Sequence, residues 1–249
     1  MTLAGIRTGR ITKPRRTLWY GVAGVGKSTN CAINGSIFVP TEEGTNDIDC
    51  HAFPVCVSYD EFIARLGELY TGEHSYNRVV IDSCDWLERL IWAKVCQLKN
   101  VASIEDIGYA KGFHFAITHW RTVLDGLEAL RNDRGMTIDL IAHADIQKFH
   151  NPETDSYDRY SPRLHKLAAA LITEWCDEVL FINYKVYTTK TDEGFNRKSV
   201  KGAGSGERVV YTTERPAHIA KNRLGLPPEM PFDLETFRST FSKYLPNQT

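Results

Sequence analysis

Gly21-Val22-Ala23-Gly24-Val25-Gly26-Lys27-Ser28 fits the pattern GxxxxGK[ST], and what flanks it decides the fold. Upstream, Arg16-Thr17-Leu18-Trp19-Tyr20 is a short, largely apolar run that reads as a strand. Downstream, residues 27–34 open a helix, with Gly35 placed to close it as a C-cap. Strand, glycine-rich loop and helix in that order form a phosphate-binding loop. The glycines let backbone N–H groups face phosphate, and the helix N-terminus adds its partial positive charge. Gly21, Val22, Ala23, Gly24, Val25, Gly26, Lys27, Ser28 and Thr29 are the expected nucleotide-binding residues. Lys27 is expected to bridge the β- and γ-phosphates of ATP, and the Ser28 hydroxyl to bind Mg²⁺. A glycine-rich turn with a chance lysine is the competing reading.

Working outward, Ser36-Ile37-Phe38-Val39 reads as a second strand stopped by Pro40. Ser58-Tyr59-Asp60-Glu61 has the form of a capping box, so a helix through Phe62, Leu66 and Leu69 follows. Arg78-Val79-Val80-Ile81-Asp82 is a β-branched run ending in an acid, as a buried parallel strand does at the active edge of a sheet. Apolar spacing of three and four predicts helices over residues 86–98 and 113–130. Residues 137–142 form another buried strand ending at His143, and 145–162 have loop composition. Residues 164–176 return to helix, and 179–190 with 208–213 alternate like a hairpin around the turn Gly202-Ala203-Gly204-Ser205-Gly206. Strands alternating with helices imply an α/β fold, a mostly parallel central sheet flanked by helices with a late antiparallel hairpin. There is no internal repeat.

The chain has 249 residues, enough for one large α/β domain, and 42% are hydrophobic, enough for a substantial core. With 30 Lys+Arg against 31 Asp+Glu, no global pull toward nucleic acid follows, so any such site must be local. No acidic residue precedes Glu42, whereas Arg7, Arg10, Lys13, Arg15, Arg16 and Lys27 do. Residues 1–15 therefore read as a basic N-terminal arm and 16–249 as the main domain. The six cysteines contain no CxxC pair and read as reduced core thiols. Cys50, His51 and Cys56 make half of a metal site at most, with no second ligand pair at zinc-like spacing. No signal peptide and no apolar run of membrane-spanning length is present, so a cytoplasmic protein is expected.

Asp82 ends its strand as a Walker B acid does and is expected to hold Mg²⁺ together with Ser28. Asp85, three residues on, reads as a helix N-terminal acid. Glu42 and Glu43 follow the strand after the phosphate loop, where one carboxylate could orient the attacking water as general base; Glu42 is favoured, and a pair of solvated turn acids is the alternative. His143 is placed to donate a hydrogen bond to the γ-phosphate, or is a satisfied structural histidine.

Phosphate loop, glutamate after the next strand, strand-terminal Asp and polar strand end occur here in the order seen in RecA-like ATPases, and the chain resembles that group. Ala220-Lys221-Asn222-Arg223-Leu224-Gly225-Leu226-Pro227 resembles the RecA-family segment whose two basic residues reach a neighbouring subunit's ATP. The resemblance implies that role for Lys221 and Arg223, and a homo-oligomer, filament or ring, with ATP at its subunit interfaces. Within the group the chain most resembles small phage-encoded proteins of the Sak type that anneal single-stranded DNA. That similarity lies in residues 42–49, 80–87, 108–112 and 157–160 and extends from about Arg16 to Phe237. The chain lacks the N-terminal helical domain and the C-terminal DNA-binding domain of full-length RecA, which speaks against full strand exchange.

The resemblance places a DNA-binding loop after the sensor strand, at residues 145–166. Lys148, Phe149, Tyr157, Arg159, Tyr160, Arg163 and Lys166 there combine phosphate contact with base stacking, although Asp145, Glu153, Asp155 and Asp158 offset the charge. The implied activity is that of an Mg²⁺-dependent ATPase that binds single-stranded DNA and promotes annealing in recombination. A single-strand binding protein is a further implied partner, and no membrane is. A helicase or helicase-loader motor and a small-molecule kinase are the competing functions.

Overall fold

The computed structural model describes residue 9 and residues 12–193, 197–243 and 245; side chains are described outside 187–203 and 205. Most of the basic arm, residues 1–8, 10 and 11, lies outside the described residues. Within the rest of it, Lys13 Nζ donates to Asn132 Oδ1 at 2.8 Å and Arg15 pairs with Glu178.

Strand β1 (Arg16–Gly21), helix α1 (Lys27–Cys31), β2 (Ser36–Pro40) and the short β3 (His51–Ala52) open the chain. Then come α2 (Tyr59–Thr71), β4 (Arg78–Asp82), α3 (Cys84–Lys99), a 3₁₀ turn (Ile104–Asp106), α4 (Lys111–Asp133), β5 (Thr137–Phe149) and β6 (Tyr157–Pro162). The fold closes with α5 (Lys166–Trp175), β7 (Glu178–Glu193), β8 (Arg197–Tyr211), β9 (Glu229–Pro231) and α6 (Leu234–Ser242).

The strands lie in the order β3-β2-β4-β5-β1-β7-β8-β9, with β6 paired to β5. All neighbours from β3 to β7 run parallel, while β7–β8, β8–β9 and β5–β6 are antiparallel. This is the mostly parallel, helix-flanked sheet with late antiparallel strands that the sequence predicts. The central strands read as unbroken apolar runs because both faces are buried. Leu18, Tyr20, Val79, Ile81, Ile138 and Leu140 join one core with residues of α2 to α5. Trp19, Val80, Ile141, Leu180 and Ile182 join the other with Cys31, Phe237 and, half-buried, Phe241. Alternate residues of each strand feed alternate layers, as the two-residue period of a strand requires.

Three local expectations shift. Helix α1 ends at Cys31 and not near Asn34, because Arg238 of α6 takes the carbonyls of Thr29, Asn30 and Ala32 and satisfies the helix end early. Gly35 instead turns the chain into β2 at φ 83°, where a Cβ would meet Asn77 Oδ1 at 2.6 Å. Residues 145–162 are not a loop: β5 runs on to Phe149 and pairs with β6, leaving 150–156 as the connection. Its polar composition reflects strands standing clear of the helical layers, with exposed Lys148 in register with exposed Asp158. Likewise Gly202, Ala203 and Gly204 lie inside β8, opposite Thr188, Tyr187 and Val186. The register shifts between Tyr184 and Val186, and Gly206, at φ 76°, lies in the unpaired stretch opposite that shift. Residues 194–196, between β7 and β8, lie outside the described residues.

At Ser58 the capping box takes a variant form. Glu61 N–H donates to Ser58 Oγ at 3.2 Å, but Glu61 Oε2 accepts from Val57 N–H at 2.9 Å, one residue further out. All six cysteines are free thiols; Cys31, Cys56, Cys84 and Cys176 are buried, and burial pushes the Cys56 thiol up to about 11. His51 Nδ1 bonds Tyr76 Oη at 2.9 Å, and no Cys–His metal cluster occurs among the described residues.

One buried charge pair spans the sheet: Asp139 on β5, 1% exposed, pairs with Arg78 of β4 and accepts from Trp19 Nε1 of β1 at 2.9 Å. Asp139→Ala strands a half-buried guanidinium and an indole N–H together, and is expected to cost about 3 kcal/mol in urea unfolding; a loss under about 1 kcal/mol would contradict this placement. A second buried acid supplies a pH dependence. Burial pushes the Glu88 carboxyl from 4.5 up to about 7, although it accepts His165 N–H at 2.8 Å. The folded chain therefore holds this proton more tightly than the unfolded one. Its stabilising contribution is fully present below the unfolded value and is lost as pH rises through about 7. Glu88→Gln, which keeps the acceptor, should remove roughly 3 kcal/mol of the difference in unfolding free energy between acid and mildly alkaline pH.

Candidate nucleotide-binding site

Because β1, β5 and β4 are parallel neighbours, their C-terminal ends share one edge. Gly21 is in register with His143, and Asp82 with Ile141. The phosphate loop, the strand-terminal acid and the strand-end histidine thus converge without any long-range adjustment. The cleft they form has a volume of about 280 Å³ and is lined by Gly24, Gly26, Lys27, Ser28, Thr29, Glu42, Glu43, Gly44, Ile48, Asp82 and His143.

Within the loop, Gly24 and Gly26 adopt φ of 71° and 99°, where side chains are strained. A Cβ on Gly26 would also come within 2.9 Å of Arg208 Nη1. Arg208 of β8 donates to Val25 O at 3.2 Å and so grips the loop from behind, a role with no signal in the local motif. Lys27 Nζ donates to Gly21 O at 3.1 Å and Val22 O at 2.9 Å. Burial lowers the Lys27 ammonium to about 8, against the pull of Asp82, Asp85 and Glu42.

Ser28 Oγ donates to Asp82 Oδ2 at 2.6 Å. Burial raises the Asp82 carboxyl, opposed by that hydroxyl and by Lys27. Hydroxyl and carboxylate oxygens side by side are hard donors suited to Mg²⁺, and together with the loop glycines they fit a magnesium-bound nucleoside triphosphate.

Beside Asp82, the Thr41 hydroxyl bridges to Ser83: Oγ1 donates to Ser83 O at 2.8 Å and accepts Ser83 N–H at 3.0 Å. Ser83 Oγ in turn donates to Glu42 Oε1. Of the two glutamates, Glu42 is the one tied into the site by this hydrogen bond, and burial raises its carboxyl despite Ser83 and His143. His143 lines the cleft at the end of its strand's parallel run. Its ring faces two carboxylates, with Nδ1 3.0 Å from Asp85 Oδ2 and 3.9 Å from Glu42 Oε1.

Asp85 does sit in the first turn of α3, as the sequence indicates, but it is no solvated helix-end acid. Its side chain is 2% exposed and accepts His143 N–H at 3.0 Å as well as the ring. Burial works to raise its carboxyl, and the hydrogen bonds and charge of His143 outweigh it, so the net direction is down. Glu42, Asp85 and His143 bring one possible ligand atom each within 4.8 Å of one another.

The remaining expected residues divide. Phe149, Tyr157 and Arg159 share one face of the β5–β6 hairpin: the Arg159 guanidinium lies 3.8 Å from the Phe149 ring centroid, and the Phe149 and Tyr157 rings are 5.5 Å apart. Lys148 is exposed on the opposite face. Tyr160 does not join them as a free stacking ring; it packs on Phe181 at 5.0 Å, because the sheet beneath needs a cover. Arg163 is exposed at the hairpin base, where its N–H donates to His143 O at 2.8 Å, and Lys166 is exposed at the start of α5.

Lys221 and Arg223 lie at the other edge of the sheet. Lys221 pairs with Val179 at the start of β7, its Nζ taking the carbonyls of Thr173 and Glu174 at the end of α5. Arg223 Nη1 donates to Asp177 Oδ1 at 3.1 Å, beside Arg16.

Loop, Mg²⁺-type oxygen pair and flanking parallel strands define a P-loop nucleotide-binding α/β domain. In agreement, the family described as AAA domain matches residues 13–224, and the chain belongs to that family. Among solved structures, a crystal structure of the RadB recombinase is similar at 13% identity and TM-score 0.44, over 80% of this chain and 81% of that one. No curated protein matches the chain. No helix among the described residues is long and apolar enough to cross a membrane.

Lys27→Ala, which removes the cation of the glycine-rich loop, is expected to lower affinity for magnesium-ATP at least tenfold by calorimetry; unchanged affinity would contradict nucleotide binding in this cleft.

Proposed function

We propose that the chain is an Mg²⁺-dependent ATPase of the RecA-like type, a phage-encoded recombination protein that binds single-stranded DNA and promotes its annealing. The observation that carries the ATPase reading is the Ser28–Asp82 pair beside Glu42 and His143, all lining one cleft with the phosphate loop. Ser28 and Asp82 would hold Mg²⁺, which would supply charge neutralisation to the phosphates. Loop N–H groups and Lys27 hold the phosphates, and Glu42, kept in place by Ser83, accepts a hydrogen bond from the attacking water. His143 reads the γ-phosphate side and passes its position to the hairpin through β5 and through the Arg163 N–H on its carbonyl.

The DNA reading is supported by the hairpin that continues β5 outward from His143. Its Phe149–Arg159–Tyr157 face offers stacking with a cation, a pairing that holds single-stranded bases with little sequence preference. Lys221 and Arg223 are about four strand residues, on the order of 13 Å, from the phosphate-loop edge. That distance suits service to a neighbouring subunit's ATP and not to their own. The chain then works as a filament or ring of ATPase domains spanning residues 16–249, with the N-terminal arm as an added contact to DNA.

Fluorescence anisotropy with a labelled oligonucleotide and a non-hydrolysable ATP analogue tests the DNA reading. Binding should weaken as salt rises, and Phe149→Ala should cost about 1–3 kcal/mol of it. No single-strand affinity at low salt sinks annealing; a stable ring that unwinds duplex without annealing would point to a motor. For the subunit contact, Arg223→Ala should reduce turnover by about 10³-fold or more and leave nucleotide binding intact. Mixing it with Lys27→Ala should restore part of the activity, and mixtures as inactive as their components would contradict a role in trans.

A further inference from the structure

Asp85 is a buried carboxylate three residues beyond Asp82, and besides Ser83 its hydrogen bonds go to one residue, His143. It accepts the His143 backbone N–H at 3.0 Å and stands 3.2 Å and 3.0 Å from ring Nδ1 through its two oxygens. An ionised carboxylate can only accept, so Nδ1 must carry the hydrogen. Its pKa direction, downward, agrees with an ionised group. Nε2 is then the nitrogen left over, and it has no hydrogen-bond partner among the described residues, while the residue itself lines the phosphate cleft.

We propose that Asp85 is a positioning residue for ATP hydrolysis: it locks His143 in the Nδ1–H tautomer and so presents Nε2 to the γ-phosphate side of the cleft. This rests on the ATPase reading above. A carboxylate orienting a catalytic imidazole through Nδ1–H is a general device for setting which nitrogen meets the reacting atoms. Here it has a further effect, because both the ring and the peptide N–H of His143 are bound to α3, while its carbonyl is bound to Arg163. The histidine is thus held at both ends between the acid strand's helix and the base of the hairpin.

The locked tautomer also sharpens what His143 can do. With the hydrogen on Nδ1, the ring offers Nε2 as an acceptor, toward the attacking water. Asp85, not the strand end alone, makes that choice.

Asp85→Asn is the test, since the amide is isosteric but can donate to Nδ1 and move the hydrogen to Nε2. Nitrogen-15 NMR of imidazole-labelled protein should show His143 as Nδ1–H in the wild type and as Nε2–H in the variant. The kcat for ATP should fall by about 10²-fold or more, with affinity for a non-hydrolysable analogue kept within about twofold. In a His143→Gln background the same change should cost nothing further. An Nε2–H tautomer in the wild type, an unchanged kcat, or a loss that adds fully to that of His143→Gln would overturn the proposal. If the wild type hydrolyses no ATP, the ATPase reading fails, and the wild-type tautomer still decides whether Asp85 sets the ring.

Discussion

The cleft depends on one constraint, the insertion of β5 between β1 and β4 in parallel register. That register puts Gly21 level with His143 and leaves Asp82 two residues short of it, at Ile141. A slip by one residue would exchange the two cores, since alternate residues face opposite layers. The buried Arg78–Asp139 pair with Trp19 Nε1 ties the same three strands together near their N-terminal ends. One end of the register is therefore fixed by charge and the other by the site. Ser28 closes the arrangement by reaching from α1 to Asp82 across the strand between them.

The elements that follow β7 belong to this machinery and not to an appendage. Arg208 of β8 holds the carbonyl of Val25, and Arg238 of α6 holds three carbonyls at the end of α1. Phe237 and Phe241 of α6 pack edge-on against Trp19, at 5.9 Å and 5.6 Å. A five-residue helix cannot stand alone, because nucleating one costs more than so few hydrogen bonds return. Tertiary contacts from two late elements hold it, and with it the glycine-rich loop.

Much of this was legible in the sequence because the governing signals are local. Glycines at positive φ, apolar runs buried on both faces and a strand-terminal acid each leave a short pattern, and β1, β2, α2, β4, α3, α4 and the start of β5 follow in order from them. What was not legible depends on contacts across the chain. Asp85 reads as a helix-end acid until β5 brings His143 beside it, 58 residues away. Arg208 and Arg238 have no motif, since each serves carbonyls more than 180 residues upstream. The β5–β6 hairpin was hidden for another reason: its outer part stands clear of the helical layers and needs no apolar alternation, so its composition is that of a loop. Tyr160, counted with its polar neighbours, is claimed by Phe181.

A crystal structure with Mg²⁺ and a non-hydrolysable ATP analogue tests the central claim most directly. The account predicts the metal between Ser28 Oγ and Asp82, the β- and γ-phosphates on the loop N–H groups and Lys27, and the γ-phosphate facing Glu42 and His143. A nucleotide bound outside this cleft, or a γ-phosphate turned away from Glu42 and His143, would contradict it.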